Sequence, residues 1–339
     1  MADRTPIRMN ILKRLKDKEG FVSGGELCTR YGITRAAVWK QIQELRRKGY
    51  GIEGVPSTGY RLVSVPDVLS EPEISDARGA TRIGSGIHIL ESTGSTNEDA
   101  WRRAQNGAEE GEVVIAETQT GGRGRKGRLW ASPKGVNVYA SVILRPQILP
   151  FQAPLITLLA AVAIVEVIRE GYDLDAGIKW PNDVLLEGKK VAGILSEMSA
   201  EADQIHFLIL GMGINLNMTP DMFPKDLLYP ATSLYLVTGK KVQRSSFAGA
   251  LLRKLDHWYD IFLMQGGKSI RDAWLTACIH HGQALDIDTP AGRQKGWFAG
   301  LDDEGCLLLK NADSEIKRIH AGDVIRSVPG DSYENPNAD

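Results

Sequence analysis

The chain has 339 residues, of which 42% are hydrophobic and 24% are charged, and its formal net charge is −1. This composition excludes a chain that is disordered as a whole and one that is polybasic throughout, and the length predicts two or three domains. The longest apolar run, 155–165, is shorter than the roughly 20 residues that a bilayer requires, so we predict a core helix and no membrane partner. No signal peptide is visible, and three widely spaced cysteines favour a reducing cytoplasm over a disulfide scaffold.

Charge is distributed unevenly along the chain. Residues 1–65 hold thirteen Lys and Arg against six Asp and Glu, a local net charge of +7, and the remainder carries −8. A basic N-terminal segment joined to an acidic body predicts an anion-binding module attached to a region with a different role.

The basic segment has the pattern of a winged helix-turn-helix. An apolar residue at every fourth position predicts a first helix, with the stripe Ile7, Ile11 and Leu15. Ser23 and Glu26 form a capping box, in which the hydroxyl accepts from the Glu26 N–H and the carboxylate reaches back, before a short second helix. Thr34 caps a third helix. Two alternating strands over 50–63 then complete residues 1–66 as a DNA-binding domain.

The exposed face of the third helix carries the residues that we expect to contact DNA. Arg35, Lys40 and Gln43 are spaced to meet a major groove and its phosphates, next to the capping Thr34. Trp39 is bulky for a groove-facing position, and its role stays open. The alternative interpretation is a small helical packing module whose Lys and Arg side chains are only solvated.

Two segments lack the patterns of regular structure. Residues 67–86 are rich in Pro, Gly, Ser and acidic side chains, which predicts a linker with a short possible helix after Ser70. The C-terminal residues 329–339 predict a disordered tail.

The body of the chain opens with a compact polar patch. Two short apolar strands, 87–90 and 113–116, flank a helix that begins at Ser95-Thr96-Asn97, with Thr96 or Asn97 as its N-cap. Free backbone N–H groups and three polar side chains at a helix start suit a small polar ligand. The alternative is that these side chains serve only as a cap.

A glycine-rich loop, 119–130, follows the second strand. Three of its residues satisfy the pattern G-x-G-x-x-G, namely Gly122, Gly124 and Gly127. A dinucleotide-binding motif is excluded because that motif must open a helix, whereas the following residues 137–144 alternate as a strand. A Walker A motif is excluded because Arg128-Leu129 stands where that pattern requires Lys and then Ser or Thr. Glycines let backbone N–H groups approach an anion, so we predict a loop that binds phosphate or carboxylate. Because neighbouring cations repel each other, we also expect the loop to be mobile until its anion binds. The cations are Arg123, Arg125, Lys126 and Arg128. The alternative is a solvated basic loop.

Further strands are predicted at 178–183, 189–197 and 208–210. Asn182 and Asp183 end the first of them, where an amide and a carboxylate suit Mg²⁺ or a ribose, and Lys190 opens the next strand beside the same cleft. Gly211 and Gly213 weaken a strand unless another group approaches its backbone closely. The six histidines show no metal-ligand spacing.

Five segments of this chain follow the order and approximate spacing of the motifs of biotin protein ligases, which the chain resembles. These segments are STN at 95–97, GRGRKGRLW at 122–130, KWPND at 179–183, KVAGI at 190–194 and GMGIN at 211–215. With a winged helix ahead of them, the chain resembles the bifunctional bacterial form, which combines a biotin ligase with a biotin operon repressor.

The resemblance implies an α/β multidomain fold. Its parts are the N-terminal winged helix-turn-helix, a central mixed α/β catalytic domain with a seven-stranded sheet over 87–275, and a C-terminal SH3-like β barrel over 276–328. Short strands separated by Gly and Asp turns agree with the last part, at 284–287, 296–301, 306–309 and 316–320.

The resemblance also implies an activity, in which biotin reacts with ATP to give biotinyl-5′-AMP and is then transferred to a lysine of the biotin carboxyl carrier protein of acetyl-CoA carboxylase. Because two anions must meet, such a site needs dense positive charge and Mg²⁺ with ATP, for which Asp183 is the candidate ligand. The candidate catalytic residues are Arg123, Arg125 and Lys190. The expected biotin-binding residues are Ser95, Thr96, Asn97, Gln119, Gly122, Arg123, Gly124, Arg125, Trp130, Lys190 and Gly193. The expected ATP-binding residues are Arg125, Lys126, Arg128, Asn182, Asp183, Lys190, Asn215 and Arg326.

The partners that the resemblance implies are the carrier protein, operator DNA of biotin synthesis genes, and a second copy of the chain when biotinyl-AMP is bound as corepressor. Related enzymes place a tryptophan beyond the GMGIN strand to cover the adenine, whereas this chain offers Phe223 or Tyr229. Two alternatives remain, a lipoate–protein ligase and a ligand-sensing transcription factor without catalysis.

Overall fold

The computed structural model describes residues 7–227 and 229–329. The chain divides into two compact units, a smaller one over 1–68 and a larger one over 69–339. We describe each unit by itself. The domain limits inferred from the sequence stay predictions at the level of single residues.

The smaller unit contains three helices and a two-stranded antiparallel sheet, namely α1 (Ile7–Asp17), α2 (Gly24–Tyr31), α3 (Arg35–Arg47), β1 (Gly51–Val55) and β2 (Gly59–Ser64). Its core consists of apolar side chains at helical spacing, including Ile11, Leu15, Leu27, Val38, Ile42 and Leu45. The predicted first stripe is correct at its inner positions, but Ile7 is 42% exposed at the beginning of α1.

The predicted helix caps of this unit are largely confirmed. The hydroxyl of Ser23 accepts from the Glu26 N–H at 3.0 Å, and the hydroxyl of Thr34 accepts from the Ala37 N–H at 3.2 Å. The reciprocal half of the capping box is wrong, because the Glu26 carboxylate instead binds Arg14 at 2.7 Å and Lys18 at 3.1 Å. Two cations outcompete one backbone amide for that carboxylate.

The larger unit is built around a seven-stranded mixed sheet with the order β3-β4-β5-β9-β8-β7-β6. Only β3 and β4 run parallel, and every other neighbouring pair in this sheet is antiparallel. Its strands are β3 (Ile87–Leu90), β4 (Val113–Ala116), β5 (Val138–Leu144), β6 (Ala176–Lys179), β7 (Asp183–Leu186), β8 (Lys189–Ala200) and β9 (Ile205–Ile214). Its helices are α4 (Glu71–Arg78), α5 (Thr96–Gln105), α6 (Pro154–Tyr172), α7 (Leu234–Thr238), α8 (Arg244–Gln265) and α9 (Lys268–Ala277).

Both faces of the sheet are covered, so its strands bury alternate side chains on opposite sides. Val114 and Ile143 pack with α5, whereas Val113 and Val142 belong to the main core with α6, α8 and α9. The helix α6 is apolar on nearly all sides and confirms the expected core helix. It is longer than the apolar run in the sequence, and the segment Pro150–Tyr172 is long and apolar enough to cross a membrane by composition, although 72% of its apolar window is buried inside the protein.

Most of the segment predicted as a linker lies within the larger unit. The helix α4 packs against α8, where Ile74 is fully buried and the backbone of α4 lies against Gly249. The next turn is held by the Asp256 carboxylate, which accepts from the Ile83 N–H at 2.8 Å. The short helix expected after Ser70 is therefore present, and its apolar face completes the core beneath the sheet.

The C-terminal part of the larger unit is a five-stranded antiparallel sheet with the order β13-β12-β11-β10-β14. Its strands are β10 (Gln283–Thr289), β11 (Gly292–Leu301), β12 (Leu307–Lys310), β13 (Ile316–Ile319) and β14 (Asp323–Pro329). The four predicted strands are present with shifted ends, and sequence analysis missed β14, which pairs with β10. The predicted tail lies outside the described residues except for Pro329, which ends β14.

Candidate active site

A cavity of about 460 Å³ opens along one face of the larger unit, beside the glycine-rich loop and strands β8 and β9. Most of the predicted biotin and ATP residues line it, namely Ser95, Thr96, Asn97, Gln119, Arg123, Gly124, Arg125, Arg128, Trp130, Asn182, Asp183, Lys190, Gly193 and Asn215. Gly122 and Lys126 are not part of the lining, and Arg326 is exposed on β14 away from it. The structure therefore brings together residues that are more than one hundred positions apart in sequence.

One end of the cavity rests on a network of polar groups, the polar floor, formed by Thr96, Asn97, Gln119 and Ser141. Gln119 is half-buried, and Ser141 is buried outside the lining. The Gln119 Oε1 accepts from the Thr96 N–H at 2.9 Å and from the Thr96 hydroxyl at 3.1 Å. The Ser141 hydroxyl lies 2.8 Å from Thr96 Oγ1 and 2.6 Å from Asn97 Oδ1. Hydrogen bonds fix these groups in one geometry, which prepares them for a small polar ligand.

The helix start differs from the prediction in one respect. Ser95, rather than Thr96 or Asn97, is the N-cap of α5, and its hydroxyl makes no capping bond within the described residues. The N–H of Thr96 binds Gln119 instead. Asn97 donates to the Glu197 carboxylate at 2.7 Å, so the polar side chains here serve the cavity and the neighbouring strand rather than the cap.

Trp130 forms one wall of the cavity against two glycines. A Cβ atom on Gly213 would collide with its indole ring, and one on Gly193 would lie 3.0 Å from Trp130 Cζ3. This explains the glycines in the strands, because only a residue without a side chain lets the ring lie against the sheet. The Trp130 Nε1 is buried against Gly213 and has no acceptor among the described residues.

The glycine-rich loop joins two strands as predicted, and its backbone adopts the left-handed region at Lys126 and Gly127. Its cations are not repelled into solvent, since three of them converge on Asp323 at the start of β14. Arg125 Nη1 lies 3.0 Å from Asp323 Oδ1, Arg128 Nη2 lies 2.5 Å from Oδ2, and Lys126 Nζ lies 3.2 Å from Oδ2. The expectation of a loop that is mobile without its anion overlooked this carboxylate, which supplies the negative charge from within the chain.

Asp323 stays ionised although its side chain is only 9% exposed. Burial alone would raise the pKa of this carboxyl, but the charges of Arg125, Lys126 and Arg128 outweigh burial and hold the pKa below its ordinary value. Sequence analysis missed Asp323, which lines the cavity and belongs to a strand that was not predicted.

The other end of the cavity carries several cations, most of which are paired with carboxylates. Lys190 Nζ lies 2.6 Å from Asp183 Oδ1, and Arg125 Nη1 lies 3.3 Å from Asn182 Oδ1. Lys179, another residue that sequence analysis did not select, lines this end and lies 3.8 Å from the centre of the Tyr229 ring. Burial lowers the pKa of Lys179, with Lys190 adding to the effect and Asp183 opposing it.

Two predicted residues have environments of their own. Arg123 Nη2 lies 3.4 Å from Glu98 Oε1 and 3.9 Å from Glu197 Oε1, away from the cations that bind Asp323. The amide of Asn215 is used internally, since its Oδ1 accepts from Asn137 at 3.2 Å and its Nδ2 donates to the Thr232 carbonyl at 3.1 Å.

Comparison with known proteins identifies the family to which the chain is similar. The profile of the Biotin/lipoate A/B protein ligase family matches residues 89–215, an HTH domain matches 8–61, and the Biotin protein ligase C terminal domain matches 280–327. The bifunctional ligase/repressor BirA of Bacillus subtilis (strain 168) is 40% identical over 304 residues, which cover 90% of this chain and 93% of that protein. The chain belongs to the biotin protein ligase family.

Two further proteins resemble this chain, one over nearly its full length and one in the fold of about 70% of it. The bifunctional ligase/repressor BirA of Escherichia coli (strain K12) is 29% identical over 324 residues, covering 96% of this chain and 98% of that protein. The biotin protein ligase from Aquifex aeolicus, solved in complex with biotin and ATP, superposes with a TM-score of 0.62 at 28% identity, covering 70% of this chain and 97% of that one. The predicted family and fold class are confirmed.

The smaller unit of this biotin protein ligase family member presents the predicted DNA-contacting face. Arg35 and Lys40 are exposed on α3, after the capping Thr34. Trp39 is 58% exposed. Gln43 is half-buried, and with its amide oxygen turned toward the donors it accepts from Trp39 Nε1 at 3.3 Å and from Arg46 Nη1 at 3.1 Å.

Proposed function

We propose that this chain activates biotin with ATP and transfers it to a carrier protein. In the first step a biotin carboxylate oxygen attacks the α-phosphorus of ATP, the bond to the β-phosphate breaks, and pyrophosphate leaves. In the second step the neutral ε-amine of a lysine in the biotin carboxyl carrier protein of acetyl-CoA carboxylase attacks the acyl carbon. The acyl–phosphate bond breaks, AMP leaves, and the amine loses a proton as the amide forms.

One observation carries this proposal, namely that a single cavity joins a neutral polar floor to a cationic end. The floor, with Ser95 beside it in the lining, suits the uncharged ureido ring of biotin. The cationic end suits the phosphates, because negative charge grows on their oxygens as the carboxylate attacks. We assign this charge stabilisation to Arg125 and Lys190.

The remaining assignments follow the same division. Arg123 belongs to the biotin end, and we propose that it orients the vitamin and becomes catalytic when the loop closes, together with Gly122 and Gly124. Arg128 lines the cavity while paired with Asp323, whereas Lys126 lies outside the lining and would have to leave Asp323 to reach the phosphates. Tyr229 and Phe223 line the cavity and are the aromatic candidates for the adenine, beside Asn215. Arg326 remains a candidate ATP contact only if the C-terminal sheet rearranges.

Mg²⁺ fits this site as a companion of ATP rather than as a resident ion. Asp183 offers one carboxylate in the cavity, already paired with Lys190, and Mg²⁺ usually binds through one or two carboxylates plus substrate phosphates. When bound, the ion would neutralise charge on the phosphates. The protein's own part is to hold the two anions in place with Arg125, Lys190 and Lys179.

We also propose that the smaller unit represses biotin synthesis genes, with biotinyl-AMP as corepressor. The exposed cations of α3 and the capped helix suit a major groove, and a homodimer that forms when biotinyl-AMP is bound would match an operator with two half-sites. We place this activity, like the ligase, in the cytoplasm, with no membrane partner.

The decisive experiment follows pyrophosphate release from ATP with biotin or lipoate as the acid, and then acyl transfer to a purified carrier domain. We expect release with biotin, no release with lipoate, and a biotinylated carrier lysine. Release with lipoate would favour a lipoate–protein ligase. Tight binding of biotin without release would leave only a ligand-sensing transcription factor.

A further inference from the structure

A second cluster of chemically capable side chains lies in the C-terminal sheet, at the edge opposite β14. Leu307 of β12 pairs with Ile319 of β13, and this register sets Cys306 directly across from His320. The Cys306 Sγ lies 3.3 Å from the His320 Nδ1. Glu304 completes the group, and the ligand atoms of these three residues all lie within 4.8 Å of one another.

We propose that Glu304, Cys306 and His320 form a zinc-binding site. Thiolate, imidazole and carboxylate are the three side-chain ligands of Zn²⁺ in proteins. Two ligands of a tetrahedral Zn²⁺, with bonds of about 2.3 Å to sulfur and about 2.0 Å to nitrogen, are separated by about 3.5 Å. The observed separation of 3.3 Å between Sγ and Nδ1 is close to that value, so the ion needs little rearrangement of these two side chains.

The turn that carries Glu304 is already ordered for this role. The Asp302 carboxylate accepts from the Glu304 N–H and from the Cys306 N–H, both at 2.9 Å. Gly305 adopts a left-handed conformation, which allows the tight return of the chain toward β12. Cys306 is buried and His320 is exposed, so the ion would enter from solvent on the histidine side and leave one coordination position for water.

One cation competes for the same space. Arg318 Nη2 lies 2.9 Å from Glu304 Oε2, and Arg318 Nε lies 2.5 Å from Asp302 Oδ2. A divalent ion would therefore displace the guanidinium from Glu304, whereas the contact with Asp302 can remain. Removing the Arg318 charge should therefore strengthen ion binding, an effect that is not expected if Glu304, Cys306 and His320 only stabilise the fold.

The test uses the full chain, stripped of metal, and Co²⁺ as a spectroscopic substitute for Zn²⁺. We expect one Co²⁺ per chain, with a thiolate-to-cobalt charge-transfer band that Zn²⁺ abolishes and Mg²⁺ does not. C306S should lose the band, H320Q and E304Q should weaken binding at least about tenfold, and R318Q should bind several-fold more tightly. C28S is the matched control and should behave as the parent chain.

Several results would overturn the proposal. They are the absence of a charge-transfer band, its loss in C28S, and unchanged affinity in H320Q, whose exposed position makes misfolding an implausible cause. Unchanged or weaker binding in R318Q would contradict the displacement of the guanidinium. None of these outcomes depends on ligase activity, so the zinc site and the proposed function can fail separately.

Discussion

The guanidinium of Arg125 and the carboxylate of Asp323 lie 3.0 Å apart, joining the glycine-rich loop to the last described strand. In the chain without ligands, this carboxylate forms ion pairs with cations that we expect to bind the phosphates of ATP. Its pKa is held below the ordinary value of 3.8, so the contact is complete at neutral pH and is lost only as the pH falls below that value toward the lowered one. ATP phosphates must therefore compete with an internal anion.

We predict that Asp323→Asn loosens the loop before ligands bind. Amide hydrogen exchange in 121–130 should accelerate by about tenfold, because charge-assisted contacts to Arg125, Lys126 and Arg128 are weakened together. Asp288→Asn is the control, since that exposed carboxylate contacts only Lys126 within the loop, at 3.5 Å. Equal exchange in D323N and the parent chain would show that Asp323 does not hold the loop.

Lys190→Ala should abolish most adenylate formation. Loss of one preorganised charge at a reacting phosphate typically costs about 10²–10³-fold in rate, and we expect pyrophosphate release to fall by that factor. The neighbouring Lys189 is exposed and does not line the cavity, so Lys189→Ala is a matched control that should keep the parent rate. Unaltered turnover in K190A, with unchanged folding, would remove Lys190 from the mechanism.

Gly213→Ala should weaken biotin binding. The added methyl group would collide with the Trp130 indole, and overpacking of this kind costs about 1–3 kcal/mol, which corresponds to a loss of affinity of about fivefold to 150-fold. Calorimetric titration with biotin measures the effect. Gly171→Ala places the same methyl group in open space on α6 and should leave affinity unchanged. If both variants bind biotin equally well, Trp130 does not form the wall.

Arg35→Ala combined with Lys40→Ala should weaken DNA binding without changing ligation. With a random-sequence duplex as probe, the slope of log affinity against log salt concentration should flatten by about 2, since two phosphate contacts are removed. Lys16→Ala changes an exposed cation of α1 and should have little effect. A parallel fall in pyrophosphate release would contradict the division of the chain into two functional modules.

The larger unit should lose stability on mild acidification because of His280. This side chain is fully buried and accepts from the Trp180 N–H at 3.1 Å, and burial lowers its pKa to about 3 from an ordinary 6.5. Below pH 6.5 the His280 imidazole takes up a proton in the unfolded chain but stays neutral in the folded chain until the pH approaches 3. The free energy of unfolding should therefore fall by about 2 kcal/mol between pH 7 and pH 5.

Denaturant unfolding of the larger unit at a series of pH values measures this slope. His280→Gln can keep an acceptor for the Trp180 N–H but cannot take up a proton, so its unfolding free energy should be flatter over the same range. His281 is exposed beside it and provides the control His281→Gln, which should retain the slope. An identical slope in H280Q and the parent chain would assign the effect to other groups.

Much of the site could be predicted because its signals are local. The start of α5, the glycines of the loop and the strand end at Asp183 each combine chemistry with a recognisable backbone pattern within a few residues. The glycines of β9 even indicated a close approach, which the Trp130 ring supplies. Ser141 had a weaker signal, as a polar residue inside an otherwise apolar strand, and it was overlooked.

The rest depends on contacts between distant parts of the chain. Arg125 and Asp323 are separated by almost two hundred residues, and a single Asp after a predicted turn has no pattern that identifies its partner. The same holds for Lys179 and Tyr229, because only the tertiary fold brings the Lys179 ammonium to the Tyr229 ring. The N-cap of α5 was placed wrongly because the Thr96 and Asn97 side chains bind Gln119, Ser141 and Glu197, which are distant in sequence, instead of the first N–H groups of the helix.

The contact between the loop and β14 also bears on how this enzyme can be shortened. The matches to the family's catalytic region and to its C-terminal domain are separate stretches, 89–215 and 280–327, and they invite removal of the second as an accessory piece. A shortened chain that ended before Asp323 would lose the carboxylate that Arg125, Lys126 and Arg128 share. Three cations beside the cavity would then lack this partner and could bind other polyanions in the cell.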